Sequence, residues 1–144
     1  MIKEKFNLEG KVAVITGASK GIGKAIALGF AEFGAHVVVS SRSEEAVKNV
    51  ETEFKSKGFS VSSLKCHVGN KEDRINLIET TLKAHGRIDI LVNNAGTNPY
   101  FGPIHKMPAE AYQKTMDINL NSAIELSNLV YPIMKSQLKV KFIL

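Results

Sequence analysis

Thr16-Gly17-Ala18-Ser19-Lys20-Gly21-Ile22-Gly23 stands between a short apolar run, Val12 to Ile15, and a stretch in which Ile22, Ile26, Gly29, Phe30 and Phe33 recur at helical spacing. Such a turn offers backbone N–H groups and one cation, Lys20, which suits it to holding a phosphate. An apolar run without alternation predicts a parallel strand buried on both faces. Strand, glycine turn and helix together predict an anion site. The turn lets the backbone approach a diphosphate, and the first helical turn adds unpaired N–H groups and a partial positive charge worth about 0.3–1 kcal/mol at an exposed site. Gly34 is placed to cap the helix. The spacing is T-G-x-x-x-G-x-G and departs from the generic G-x-G-x-x-G fingerprint. Taken alone, the turn also reads as a plain tight connection.

A second group follows about 20 residues on. Ser40-Ser41-Arg42 ends the next apolar run with no Asp or Glu. In a dinucleotide site an acid at that strand end binds the ribose 2′-hydroxyl, whereas an Arg accommodates a 2′-phosphate. Lys20 can reach the same phosphate from within the turn. One charge-assisted hydrogen bond is worth about 1.5–3 kcal/mol, or roughly 10- to 150-fold in affinity. The expectation is NADP(H) in preference to NAD(H). The competing reading is that Arg42 only pairs with Glu44 or Glu45.

These residues need a scaffold, and the chain alternates accordingly. His36 to Ser40 predicts a second strand. Ser43 predicts an N-cap with Glu44 and Glu45 in the first turn, and Val47, Val50 and Phe54 mark a helix face ending at Gly58. A third strand covers about Ser60 to Cys66. Asn70 and Asp73 sit at cap and N3 positions of a third helix with an apolar face of Ile75, Ile78 and Leu82, closed by Gly86. Ile88 to Val92 predicts the fourth strand. A loop from Asn98 to Pro108 leads to a helix carrying Tyr112, Met116, Ile118, Leu120, Ile124, Leu126 and Val130, with room for a kink, up to about Lys135. Val140 to Leu144 begins a fifth strand. The predicted class is α/β: a Rossmann-type, doubly wound parallel sheet in one dinucleotide-binding domain, residues 1–144, cut off after the start of the fifth strand.

The bulk properties agree. At 144 residues and 44% hydrophobic, the chain fits one globular domain. The N-terminus lacks an apolar core and does not resemble a secretory signal. No apolar run approaches the ~18 residues of a membrane span. Cys66 is the sole cysteine, which fits a reducing, cytoplasmic setting. The net charge of +5 is spread among acids without a basic stripe, so no nucleic-acid partner is expected. No metal site is expected.

Thr16-Gly17-x-x-x-Gly21-x-Gly23, Asn93-Asn94-Ala95-Gly96 after the fourth strand, and Met116-Asp117-Ile118-Asn119-Leu120 together resemble the short-chain dehydrogenase/reductase family, from about Leu8 to Lys135. Cys66-His67-Val68-Gly69 and Asn98 to Pro103 look like its branch of NADP-dependent carbonyl and retinal reductases. The resemblance implies a cofactor held by Gly17, Ser19, Lys20, Gly21, Ile22 and Gly23 of the turn. Ser41 and Arg42, then His67 and Val68, then Asn94, Ala95 and Gly96 complete the set. His67 departs from the family's usual Asp near the adenine. Asn119 aligns with the helix asparagine of the catalytic tetrad, where it holds a water linked to the active-site lysine. The alternative is a donor that bridges helix and sheet.

The family's Ser, Tyr and Lys lie in its second half, with Tyr four residues before Lys so that both share a helix face and the cation lowers the phenol pKa. Tyr131 and Lys135 have that spacing but end the Asn119 helix around Pro132, with no serine strand between, and read as a decoy. The remaining tetrad members are therefore expected beyond residue 144, and the final KSQLKVKFIL is either a fifth strand of a cut chain or a divergent tail. This chain alone is expected to bind nucleotide, turn over nothing and be marginally stable. Its complete parent is expected to move hydride between the nicotinamide and a carbonyl or secondary alcohol, as a homo-oligomer, dimer or tetramer, joined through the helices flanking Asn119. Two other readings remain: a non-catalytic nucleotide-binding or regulatory module, and a structural subunit of a complete paralogue.

Overall fold

The computed structural model of the chain describes residues 2–137 and 142–143. After a short turn, α1 (Ile2–Lys5), the expected alternation follows: β1 (Val12–Thr16), α2 (Gly21–Glu32), β2 (His36–Ser41), α3 (Glu44–Ser56), β3 (Val61–Lys65), α4 (Lys71–His85) and β4 (Ile90–Val92). A loop with a 3-10 turn at Ile104–Lys106 leads to α5 (Ala109–Met116), a π turn at Asp117–Asn121, α6 (Ser122–Ser136) and β5 (Phe142–Ile143). The five strands are parallel in the order β3-β2-β1-β4-β5. Of the predicted fifth strand, Val140, Lys141 and Leu144 lie outside the described residues.

Each strand of the centre is buried on both faces, which is why β1 reads as an unbroken apolar run. Ala13 and Ile15 join Val37 and Val39 beneath α2 and α3, contributed by Ala27, Ala31, Val47, Val50 and Phe54. Val12, Val14, Val38 and Leu91 face the other way, against Leu77 and Ile78 of α4 and Leu126, Val130 and Met134 of α6. Helices therefore cover both faces, and the strand order reverses between β1 and β4. In such sheets that switch point opens a crevice at the carboxyl ends of the strands.

Both predicted caps form. Ser43 accepts from the Ala46 N–H at 3.2 Å, and Asn70 from the Asp73 N–H at 3.0 Å. Gly34, Gly58 and Gly86 stand in left-handed backbone where helix hands over to strand. Pro108, the end of the predicted loop, precedes α5 as its cap.

Three helix faces differ from expectation. On α2 the buried residues are Gly23, Ala27 and Ala31, whereas Ile22 is 74% exposed. Small residues let the helix lie close to the sheet, and Ile22 is turned toward the crevice. On α4 the buried set is Arg74, Leu77, Ile78 and Thr81 rather than Ile75, Ile78 and Leu82. Arg74 enters because its guanidinium donates to the Val68 carbonyl at 2.7 Å. The long final helix is broken by the π turn, whose extra residue shifts the phase of everything beyond it. Leu126, Val130 and Met134 meet the sheet, while Tyr112, Leu120 and Ile124 stay exposed.

Candidate nucleotide site

The site begins with a bracket across the switch point. Thr16 Oγ1 accepts from the Asn94 and Ala95 N–H groups, each at 3.1 Å, and donates to the Val92 carbonyl at 3.3 Å. Asn94 Nδ2 returns two hydrogen bonds, to the carbonyls of Thr16 and Gly17 at 3.1 Å each. The carboxyl ends of β1 and β4 are thus locked together by a threonine and an asparagine. This interlock has a steric consequence. A Cβ on Gly17 would lie 2.9 Å from both Asn94 Nδ2 and Ala95 Cα, and Gly17 has φ +63°. A Cβ on Gly23 would collide with Asn94 Nδ2 and the Gly17 carbonyl. Gly17 needs left-handed backbone and space, and Gly23 needs space alone.

The helix behind this turn starts differently from its neighbours. Lys20, its N-cap residue, is extended and makes no side-chain cap, and no acid lies in the first turn. In α3 and α4 the corresponding donors are met by Ser43 and Asn70, with acids beside them. The α2 N-terminus therefore keeps its N–H groups and its positive end for an outside partner.

That end opens on a cavity of about 480 Å³. Gly17, Ser19, Lys20, Gly21, Ile22, Ser41, Arg42, His67, Val68, Asn94, Ala95 and Gly96 all line it. Gly23, also expected to bind cofactor, lies buried behind it, where it supports the turn. Thr97, Cys66, Lys114 and Ile118 line the cavity as well and were not expected. Lys114 and Ile118 come from α5 and the π turn, and no sequence spacing ties those elements to the glycine turn. Cys66 is 1% exposed, and burial, with the Asp73 charge, pushes its thiol up to about 11, so it acts as wall rather than nucleophile.

Two further hollows adjoin this cavity at separate margins. One of about 510 Å³ shares Ser19, Lys20, Ser41 and Arg42 and adds Ser43 and Ala46. The other shares His67, Lys114 and Ile118 and adds Gly69, Ala109, Glu110, Gln113 and Asp117, so two carboxylates border it. Lys20, Arg42 and Lys114 bring positive charge to the central cavity, and among the described residues no carboxylate lines it. The competing pairing of Arg42 is not formed. Glu44 binds Lys48 at 2.6 Å instead, and Arg42 has no ion pair among the described residues. Ser41 braces the corner, its hydroxyl lying 3.2 Å from the Ser43 carbonyl and 3.3 Å from the Ser43 N–H.

Asn119 sits in the π turn. Its Oδ1 accepts from the Thr97 N–H at 2.7 Å and its Nδ2 donates to the Thr97 carbonyl at 2.9 Å. These are the bonds of a bridge between helix and loop. Asp117 spans the same turn, accepting from Gln113 at 2.9 Å and Asn121 at 3.0 Å, and Ser122 donates to the Ile118 carbonyl at 2.6 Å. Such turns are rare and concentrate at functional positions. Tyr131 is 48% exposed and Lys135 is exposed, and neither lines the central cavity.

A family model described as short chain dehydrogenase matches residues 11–143. The human protein named dehydrogenase/reductase SDR family member 4 is 45% identical over 130 residues, covering 90% of this chain and 47% of that protein. Its Caenorhabditis elegans namesake is 38% identical over 125 residues, covering 86% and 48%. The chain spans about half the length of the curated relatives it matches. Among solved structures, a metagenomic short-chain oxidoreductase in complex with NADP superposes with TM-score 0.89 at 36% identity, covering 94% of this chain and 61% of that one. The protein gox2181 gives 0.94 at 31% identity, covering 99% and 55%. With a family match running from β1 to the last described strand, this chain belongs to the short-chain dehydrogenase family.

Proposed function

We propose that the chain is the cofactor-holding half of an NADP(H)-dependent reductase acting on a carbonyl or secondary alcohol. The supporting observation is the pair Lys20 and Arg42, which flank both the central cavity and its 510 Å³ annex with no acid opposing them. When bound, the nicotinamide supplies or takes the hydride. The chain's own residues do the holding. The glycine turn and the α2 N-terminus meet the diphosphate, and Arg42 with Lys20 meets the 2′-phosphate. Asn94 keeps the turn open, and Asn119 fixes the loop at Thr97 that borders the cavity. In the family reading the water-holding role of Asn119 belongs to the complete protein, as do the homo-oligomer and the cytoplasmic location. Among the described residues no helix is long and apolar enough to cross a membrane.

A second reading is a nucleotide-binding module without turnover. It is favoured by the absence of a Tyr–Lys pair at the cavity among the described residues. Titration with NADPH and NADH separates the claims. The chain is expected to bind NADPH the tighter, and Arg42→Ala is expected to reduce that preference by about 10- to 150-fold. An unchanged ratio removes the 2′-phosphate assignment. Turnover by the chain alone, abolished in Tyr131→Phe, removes the decoy reading of Tyr131.

A further inference from the structure

β3 is an edge strand, so the corner that follows it has the sheet on one side only. The loops after β1 and β4 hold each other through Thr16 and Asn94. The corner from Cys66 to Gly69 is tied to the sheet by the Cys66 N–H, which donates to the Ser41 carbonyl at 2.9 Å. Its next two residues, His67 and Val68, line the central cavity. Two side chains from the first turns of α4 hold them from the other side. Asp73 Oδ2 accepts from the His67 backbone N–H at 2.8 Å, and Arg74 Nη1 donates to the Val68 carbonyl at 2.7 Å. Helix capping accounts for neither. In a capping box the third helical residue returns to the N–H of the cap residue. Here the Asn70 N–H goes to the His67 carbonyl at 2.8 Å, and Asp73 reaches past it. Arg74 stands near the positive end of α4, where the helix dipole disfavours a cation. It is 9% exposed, and among the described residues neither it nor Asp73 has an ion pair. Both charges act on the backbone of the corner instead. The corner also meets the π turn. A Cβ on Gly69 would lie 2.7 Å from Ile118 Cδ1, and Ile118 lines the cavity too, so a displaced corner moves two walls.

We propose that Asp73 and Arg74 are positioning residues of the nucleotide cavity, holding the His67 and Val68 backbone as a wall formed before the ligand arrives. This rests on the NADP(H) reading above. Neither side chain lines the central cavity, so both act through the backbone they bind. A wall already ordered adds affinity, because binding does not then have to immobilise it. The opposite charges of the two residues separate positioning from a field effect. A field alone would make loss of the Arg74 cation weaken binding of an anionic nucleotide and loss of the Asp73 anion strengthen it. Positioning makes both losses weaken it.

The experiment is fluorescence titration of the full chain with NADPH at fixed ionic strength. Arg74→Met keeps a buried apolar stem and removes the donor, and Asp73→Ala removes the acceptor. Each is expected to weaken NADPH binding by about tenfold, and Arg74→Lys and Asp73→Asn, which keep a donor and an acceptor, to return it to within about threefold of native. Three results overturn the proposal: tighter binding by Asp73→Ala, affinities of Arg74→Met and Asp73→Ala both within about twofold of native, or a loss that neither conservative variant restores. No saturable signal with the native chain overturns the NADP(H) reading itself. Amide hydrogen exchange of the native chain gives a readout that depends on no variant's folding. A His67 N–H protected before any nucleotide is added supports the preformed wall, and an unprotected one refutes it.

Discussion

At the amino end of the sheet, Asp89 accepts two hydrogen bonds from Arg87, at 2.8 and 2.6 Å, and a third from the Val12 N–H at 2.9 Å. At the carboxyl end, Lys20 and Arg42 face a cavity with no acid on its walls among the described residues. The amino end settles its other polar groups too. His36 meets Ser60 at 2.7 Å and Ser62 at 3.0 Å and lies against the His85 ring, 4.0 Å between centroids. Gln137 takes both the N–H and the carbonyl of Ile88. Charge that is matched within the chain stabilises the fold. Charge left unmatched in a concave site is available to a ligand. One sheet carries both arrangements, separated by the length of a strand.

The contrast is broken most severely at Gly23. Gly23→Ala forces the turn away from Asn94 and is expected to abolish saturable NADPH binding and to cost about 1–3 kcal/mol in a urea melt. Asp89→Ala tests the opposite end. It leaves the Val12 N–H buried without its acceptor and is expected to cost about 1–3 kcal/mol while nucleotide affinity stays the same. A drop in affinity as large as that of Arg42→Ala would mean the two ends are not separable.

Acid sharpens the comparison. Burial, then the nearby His85, hold His36 down at about 4 against an upward pull from Glu51, with Lys55 adding a smaller push downward. The folded chain then binds fewer protons than the unfolded chain between about 6.5 and 4, so stability is full above 6.5 and declines as pH falls through that window. Denaturation midpoints of the native and His36→Asn chains should draw together as pH falls from about 6.5 to 4, the variant showing the flatter profile. Asp89 acts lower. Burial alone raises a carboxyl, but Arg87 and the Val12 N–H hold this one below the usual range. Its contribution is present above the unfolded value of about 3.9 and is lost as pH falls further. The smallest effect is at an exposed pair. Lys48→Ala removes the contact to Glu44 and is expected to leave the denaturation midpoint almost where it was and binding unchanged.

Much of this was legible in the residues. The unbroken run of β1, the caps Ser43 and Asn70 and the glycines at the handovers are local signals, and local signals fix element type and order. The cavity lining was nearly all readable as well, because each loop that builds it follows directly from a strand whose place in a parallel sheet is dictated by alternation. Helix rotation was not readable for α2 and α4. An apolar pattern cannot foresee that Ala27 rather than Ile22 meets the sheet, or that Arg74 reaches back to the Val68 carbonyl in the loop before its own helix.

What the sequence determined by itself was therefore the βα order, the glycine turn between β1 and α2 and the lone Arg42 where an acid was possible. What only the tertiary structure decided was the phase change at the π turn, the arrival of Lys114 and Ile118 beside the turn, and the Gly69 N–H set against His67 Nδ1. The physical reason is range. Propensity, capping and periodicity act over a few residues, whereas a cavity wall is set by the packing of segments that share no sequence neighbourhood.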